Sequence, residues 1–287
     1  MVAHAGDRRR SVEKALVFCP TLSYTLNKIN RYEEAIGRDS LMDLSIVIPA
    51  YEESKKIARD VEDAADFLDR NDFSGEVIVV DDGSSDNTAE VAGKVQVPDG
   101  VEVRIVRYEP HRGKGYAVRR GVEKSTGEYV MFADSGSCVP YDDCLQGLDL
   151  LKYGSCDIAH GSRKMTGCNI EKSQSLYRRI CSKMFHWFVI FDLKIPAEFT
   201  DTQCGFKAFY RDKLLPVFRM QQISGFAFDV EILYLAARSG LRLREIPVRW
   251  SHVPHTKVHL LRDSLRMFRD VLRIRLAEMR GLAGIRR

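Results

Sequence analysis

Leu44-Ser-Ile-Val-Ile-Pro-Ala50, a charged stretch of helical period from Ser54 to Arg70, and Glu76-Val-Ile-Val-Val80 running into Asp81-Asp82-Gly83-Ser84-Ser85 read together as strand, helix, strand. Both apolar runs are of strand length and rich in β-branched residues, and the second ends in a turn-forming cluster. The alternation continues with a helix from Asn87, a strand near Val101 to Val106, a helix opening at Gly113-Lys114-Gly115, and a strand from Glu128 to Ala133. Strands and helices alternating at this spacing predict an α/β, Rossmann-like fold with a mainly parallel central sheet and helices on both faces. Ligands of such sheets bind beyond the carboxyl ends of the strands, and there this sequence places its acidic and glycine residues.

Beyond Asp134 the pattern loosens. Mixed or antiparallel strands are expected near Asp157 to His160, Phe206 to Tyr210 and Arg242 to Trp250, with helices near Ser175 to Phe191, Phe228 to Ser239 and Val258 to Met279. Residues 1–42 show no strand alternation and read as an arm preceding a main domain at 43–257; residues 258–287 read as a basic amphipathic helix.

The 287 residues, 45% of them hydrophobic, suffice for one sizeable α/β domain with short extensions. Seven cysteines occur singly, with no CxxC pair, which suits neither a disulfide framework nor a zinc knuckle and points to reduced thiols in the cytosol. Spacings of three and four residues among His252, His255 and His259 lack a cysteine or carboxylate to complete a zinc site. No run reaches the roughly 18 apolar residues of a spanning helix, and the start lacks a signal peptide's apolar core. A soluble or peripheral protein is therefore expected. The net charge of +4 is uneven: residues 238–287 hold thirteen Lys/Arg against four Asp/Glu, about +9, leaving about −5 on the rest.

Four strand-end motifs carry the chemistry: Ile46-Val-Ile-Pro-Ala-Tyr-Glu-Glu53, Val79-Val-Asp-Asp-Gly-Ser-Ser-Asp-Asn-Thr88, Gly113-Lys-Gly115 and Phe132-Ala-Asp134. Their sequence and spacing resemble the inverting glycosyltransferase family 2, whose catalytic domain is the GT-A fold. The resemblance implies that Pro49, Tyr51, Glu53, Asp81 and Asp82 bind the nucleotide of a nucleotide-sugar donor. A carboxylate suits that work because it accepts hydrogen bonds from base N–H and ribose hydroxyl groups. Taken alone, Asp82 to Asp86 would be an ordinary turn before an N-capped helix. Lys114, between two glycines at a helix start, fits an anion contact better than a solvated surface position.

The resemblance also implies a divalent ion, Mg2+ or Mn2+, held by an Asp-x-Asp motif after the fourth strand and bridging the donor diphosphate. Here the sequence departs, because Gly136 stands where the second aspartate is expected. The metal must then rely on Asp134, the diphosphate, water and Ser135 or Ser137. Metal-independent transfer and an inactive nucleotide-sugar binder remain open alternatives.

Gly161-Ser-Arg163, Asp201-Thr-Gln-Cys-Gly-Phe-Lys-Ala-Phe209, Phe228-Asp-Val-Glu-Ile232 and Glu245-Ile-Pro-Val-Arg-Trp250 look like the branch containing dolichyl-phosphate β-glucosyltransferases and mannose synthases. That branch implies transfer from UDP-glucose, or from GDP-mannose as rival donor, to a polyprenyl phosphate on the cytoplasmic face of a membrane; a soluble acceptor is a further alternative. Such an acceptor is already anionic, so positioning by cations matters more than a general base. Arg163 is the first candidate for the acceptor phosphate, since guanidinium binds phosphate bidentately, with Arg249 and Lys257 behind it. Asp201 and Gln203 are expected near the sugar or orienting Arg163. Asp229 and Glu231 diverge on a helix, so only one, Asp229, is expected near the site.

Two stretches suit a membrane surface. Met184 to Phe191 is short and aromatic, fitting an interfacial segment or a core helix. In the tail Leu261, Leu265, Phe268, Leu272, Leu276 and Met279 share one helical face, each but Leu276 followed at once by an arginine. This helix either lies on anionic lipid or packs on the domain with a solvated arginine edge. Nothing resembles a module that reads nucleic-acid bases. The sequence does not fix the oligomeric state, and a homodimer is compatible with it.

Overall fold

A computed structural model of the chain describes residues 42–165, 199–251 and 260–279, with side chains of the last helix described over 264–276. The chain separates into Met1–Leu41 and Met42–Arg287. The first unit lies outside the described residues, as do the expected helix at Ser175 to Phe191 and Lys257.

Seven strands form one sheet in the order β3-β2-β1-β4-β6-β5-β7. They are β1 (Leu44–Ala50), β2 (Gly75–Asp81), β3 (Val101–Arg107), β4 (Tyr129–Ala133), β5 (Ile158–Ser162), β6 (Phe206–Tyr210) and β7 (Leu243–Pro247). The first four are mutually parallel, β6 runs against β4 and β5, and β5 pairs in parallel with β7. Among the described residues the second half is therefore mixed through β6 alone, since β5 and β7 point the same way as the first four strands. Helices are α1 (Ile57–Arg70), α2 (Thr88–Gly93), α3 (Lys114–Lys124), α4 (Leu145–Lys152), α5 (Arg211–Met220), α6 (Phe228–Arg238) and α7 (Leu260–Met279).

The two-residue period of the strands explains why two cores exist. Ile46, Ile48, Val77 and Val79 pack on one face with Ile57, Val61, Ala64 and Leu68 of α1, whereas Val47, Ile78 and Val80 pack on the other with Ala117, Val118 and Val122 of α3. Every residue of β1 and β2 is buried, as expected of strands covered on both faces.

The site lies where strand order reverses. From β1 the chain winds outward to β2 and β3, and it returns on the other flank with β4. Pairing of β1 with β4 ends at Val47 opposite Phe132, while pairing with β2 runs on to Ala50 opposite Asp81. The sheet thus opens beyond Val47, at Pro49, and the ends of β1 and β4 diverge into a crevice of the kind that binds ligands in such sheets.

Candidate active site

The first two strand-end loops are bound together by the serine, threonine and acidic residues between Glu52 and Thr88. The backbone N–H of Glu52 donates to Ser84 Oγ at 2.9 Å, that of Glu53 to Thr88 Oγ1 at 2.9 Å, and that of Ser54 to Asp86 Oδ2 at 3.2 Å. In return Ser85 donates from backbone and hydroxyl to Glu52 Oε1. Of the five residues expected at the nucleotide, Asp81 and Asp82 are almost wholly buried. Asp81 accepts from the Ser84 N–H at 3.0 Å. Asp82 takes the N–H groups of Arg112 and Gly113 at 2.7 and 2.8 Å and lies 2.9 Å from His111 Nδ1. Pro49 is buried in β1, Glu53 pairs with Lys56 at 3.7 Å, and the half-exposed Tyr51 ring lies 4.1 Å from the His111 ring.

Asp82 therefore fixes the backbone from which α3 starts, and the first residue of α3 is Lys114. Lys114 forms an ion pair with Asp134, the residue that follows β4. Burial opposes its charge, but Asp134 and Asp229 outweigh that cost and hold its pKa above the ordinary lysine value. Asp134 keeps 37% of its side chain exposed. Its backbone N–H donates to Gly205 O at 3.0 Å, and a Cβ at Gly205 would fall on its carboxylate.

The loop after Asp134 explains Gly136. Its φ is +96°, a conformation that side chains rarely adopt, and its N–H donates to both carboxylate oxygens of Asp60, at 2.9 and 2.8 Å. Ser137 Oγ donates to Asp60 at 3.1 Å and to Asp63 at 2.6 Å. Burial pushes the Asp60 carboxyl up to about 6. Sequence reasoning missed Asp60, although it falls on the same helical stripe as Ile57, Val61, Ala64 and Leu68, where a carboxylate signals a buried task.

Arg163, just past β5, is gripped by Asp201: Nε donates to Oδ2 at 2.6 Å and a terminal nitrogen to Oδ1 at 3.0 Å. Burial works against both charges, yet the pair holds Asp201 well below the carboxylate range and Arg163 above the usual arginine value. Asp201 is itself seated by Glu245, whose carboxylate takes the N–H groups of Thr200 and Asp201 at 2.9 to 3.0 Å. The Trp250 ring centroid lies 5.8 Å from the guanidinium carbon. Asp134, Arg163 and Gln203 line one narrow cavity of about 40 Å³, room for a few waters. Glu245 and Trp250 are further residues that sequence reasoning did not place at the site.

Arg249 does not join this cavity: it turns to Asp143, with contacts of 2.6 to 2.8 Å. Both acids of Phe228-Asp-Val-Glu231 are buried. Asp229 pairs with the buried Lys207 beneath the site, and Glu231, expected to be an ordinary helix residue, accepts the N–H groups of Gln222 and Ile223 at 2.9 and 2.8 Å. On the other side of the Lys114–Asp134 pair, Lys114 also lines a groove of about 710 Å³ between α6, the loop 221–226 and α7. Among the described residues no cluster of three His, Cys, Asp or Glu forms a metal centre. Asp134 alone fits a divalent ion of the kind bound through one carboxylate and substrate phosphates.

The profile of glycosyl transferase family 2 matches residues 45–218. The dolichyl-phosphate β-glucosyltransferase of Saccharomyces cerevisiae is 34% identical over 278 residues, covering 91% of this chain and 81% of that protein. Its human counterpart is 34% identical, covering 83% of this chain and 76% of that protein. Among solved structures, the glucosyl-3-phosphoglycerate synthase of Mycobacterium tuberculosis in complex with Mn2+, UDP and glucosyl-3-phosphoglycerate superposes with a TM-score of 0.57 at 18% identity, covering 86% of this chain and 81% of that one. That likeness is one of fold, the GT-A fold, and with the profile and the relatives it establishes that the chain belongs to glycosyl transferase family 2.

Proposed function

We propose that the chain transfers glucose from UDP-glucose to dolichyl phosphate or a related polyprenyl phosphate, inverting the anomeric carbon, at the cytoplasmic face of a membrane. The observation that carries this reading is the pairing, in one cavity, of an aspartate tied to Lys114 with an arginine braced by Asp201. One half suits a donor diphosphate and the other an anionic acceptor. The dolichyl-phosphate β-glucosyltransferases among its relatives point to the same pair of substrates.

In the proposed reaction an acceptor phosphate oxygen attacks C1 of glucose, the bond from C1 to the diphosphate oxygen breaks, and its electron pair leaves with UDP. No proton need be removed, because the attacking oxygen is already anionic. Lys114 meets the charge growing on the diphosphate, and Arg163 aligns the acceptor phosphate through its fork of donors. Asp201 fixes the direction of that fork, and Gln203 offers an amide to the sugar. Asp134 would hold Mg2+ or Mn2+, which supplies Lewis-acid neutralisation of the diphosphate. Asp81 and Asp82 serve the nucleotide by fixing the loops that carry Tyr51, Glu53 and Lys114. The cytoplasmic placing accords with the free thiols of Cys138, Cys144, Cys156 and Cys204. Among the described residues no helix is long and apolar enough to cross a membrane.

The test is transfer from labelled UDP-glucose to dolichyl phosphate in detergent with Mn2+, followed by phase partition. Label moving to the organic phase is expected, with GDP-mannose giving far less. Label confined to water would sink the lipid acceptor, and turnover unchanged by EDTA would remove the metal.

A further inference from the structure

Helix α7 presents three faces. Met267, Asp270, Val271 and Ile274 turn inward, where the helix packs on α6. Leu265, Phe268, Leu272 and Leu276 fall within about 80° of each other around the axis, and are 72%, 44%, 39% and 45% exposed. This stripe runs about 17 Å along the helix. Between the two faces, within about 60°, lie Arg266, Arg269 and Arg273, which wall the groove of about 710 Å³. Four large apolar side chains, each more than a third exposed along one face beside a row of cations, form the pattern of a helix that lies in a lipid interface.

The groove has the charge to match. Arg112, Lys114, Arg266, Arg269 and Arg273 line it, against Glu231 and Asp270. Both acids are buried and already engaged: Glu231 by the N–H groups of the loop 222–223, Asp270 by Arg273 at 3.3 Å. The groove is thus an anion-seeking space of ligand size. One end is lined by Lys114, which touches Asp134 at the reaction centre, and Phe226, 39% exposed, adds an apolar group to its lining.

We propose that α7 seats the chain on the bilayer with its leucine and phenylalanine stripe in the acyl boundary, and that the groove beneath its arginines takes the phosphate headgroup of the polyprenyl lipid. This rests on the function proposed above and adds to it where the acceptor docks. It assigns the four groove arginines to docking the headgroup and the exposed stripe to the chain's hold on lipid, whereas Lys114 stays with the donor diphosphate and Arg163 aligns the acceptor phosphate once it has moved from the groove to the reaction centre.

The experiment uses the full chain and three kinds of vesicle: phosphatidylcholine alone, and the same lipid doped to equal surface charge with polyprenyl phosphate or with phosphatidylserine. Wild-type protein is expected to bind the polyprenyl-phosphate vesicles most tightly. Arg266→Glu/Arg269→Glu should weaken that binding by tenfold or more, since each basic residue near an anionic surface contributes about fivefold, and should raise KM for polyprenyl phosphate. Arg219→Glu/Arg244→Glu, with the same change of charge on other surfaces, should bind as wild type does. Leu265→Ser/Phe268→Ser should weaken binding to all three vesicles. All these side chains are exposed, so unchanged thermal unfolding checks that the variants fold. Retention of wild-type vesicle binding by either α7 variant, or equal binding to phosphatidylserine and polyprenyl phosphate, would overturn the proposal. Absence of transfer by the wild type to a short, water-soluble prenyl phosphate would instead remove the function it rests on, since that assay needs no membrane.

Discussion

Gly205 is the smallest residue of the Asp201 to Phe209 motif, and the structure gives it a task that one methyl group would abolish. A Cβ built there coincides with the Asp134 carboxylate, meeting its carbon and both oxygens. Gly205 O also accepts the Asp134 N–H, and Ala133 pairs with Phe206 in the sheet, so neither backbone can retreat. In Gly205→Ala the carboxylate must swing away, by roughly an ångström, and a displacement of that size in a positioned group costs about a hundredfold in rate. That corresponds to about 2.7 kcal/mol of transition-state stabilisation. Because the Asp134 side chain is 37% exposed, it can move into solvent, and thermal unfolding should shift by only a few degrees. The assay is glucosyl transfer to dolichyl phosphate at saturating donor, with Gly93→Ala as control, where the added methyl meets only Ile105 Cγ1 at 3.6 Å. A Gly205→Ala protein with wild-type kcat would refute the placing of Asp134 at the reaction centre.

Asp201→Asn leaves Arg163 in a largely buried position without its carboxylate; breaking such a pair costs about 3 to 5 kcal/mol, seen as lowered thermal stability together with a raised KM for the lipid acceptor and an unaltered affinity for UDP. Gly136→Asp would restore an Asp-x-Asp pattern on paper, yet at φ +96° it should cost about 1 to 3 kcal/mol in strain and lower activity at every Mn2+ concentration; a gain in metal affinity would contradict the account of this loop. Burial raises Glu231 to about 7 from an ordinary value of 4.5, so the folded state binds its proton more tightly, and the resulting stability is full below about 4.5 and lost as pH rises through about 7. Relative to Glu231→Gln, the wild type should lose about 1.4 kcal/mol for each pH step between those values. Buried His160, lowered to about 3, gives the opposite slope below about 6.5 in both proteins and cancels in the comparison, so parallel stability curves would show that Glu231 does not titrate there.

The first half of the sheet was legible because β1, β2 and β3 are β-branched runs and the loops after β1 to β4 carry acidic or glycine residues. Residues of the candidate site were legible for a related reason: Lys114 opens a helix, Asp134 and Arg163 follow directly on strands, and Gln203 belongs to the motif that leads into β6. Helix α5 was not read, since Pro216 inside it breaks the pattern that periodicity relies on. Glu231 was misjudged because α6 is buried on all sides from Phe228 to Ala236, so its sequence has no solvated face against which a buried acid would stand out. For α7 the period revealed the apolar stripe but not its direction. Exposure at Leu265, Phe268, Leu272 and Leu276 becomes visible only once Met267, Val271 and Ile274 are seen to make the packing face.

Asp60 shows why motif spacing alone misreads the loop after β4. Losing the second aspartate looks like losing half of a metal site. In the fold, position 136 gives its N–H to Asp60, and its φ excludes most side chains. What the loop needs there is a backbone donor, and the matching carboxylate comes from α1, 76 residues earlier in sequence. The Gly136 N–H and the Ser137 hydroxyl both donate to the buried Asp60 carboxylate, and hydrogen bonds to a charged group are worth about 1.5 to 3 kcal/mol each, enough to hold Asp134 at the head of the loop in one position. The single carboxylate at 134 is then oriented from three sides: by Asp60 through the loop, by Gly205 through contact, and by Lys114 through charge. An ion of the kind bound through one carboxylate and substrate phosphates would find in Asp134 a ligand already fixed in place.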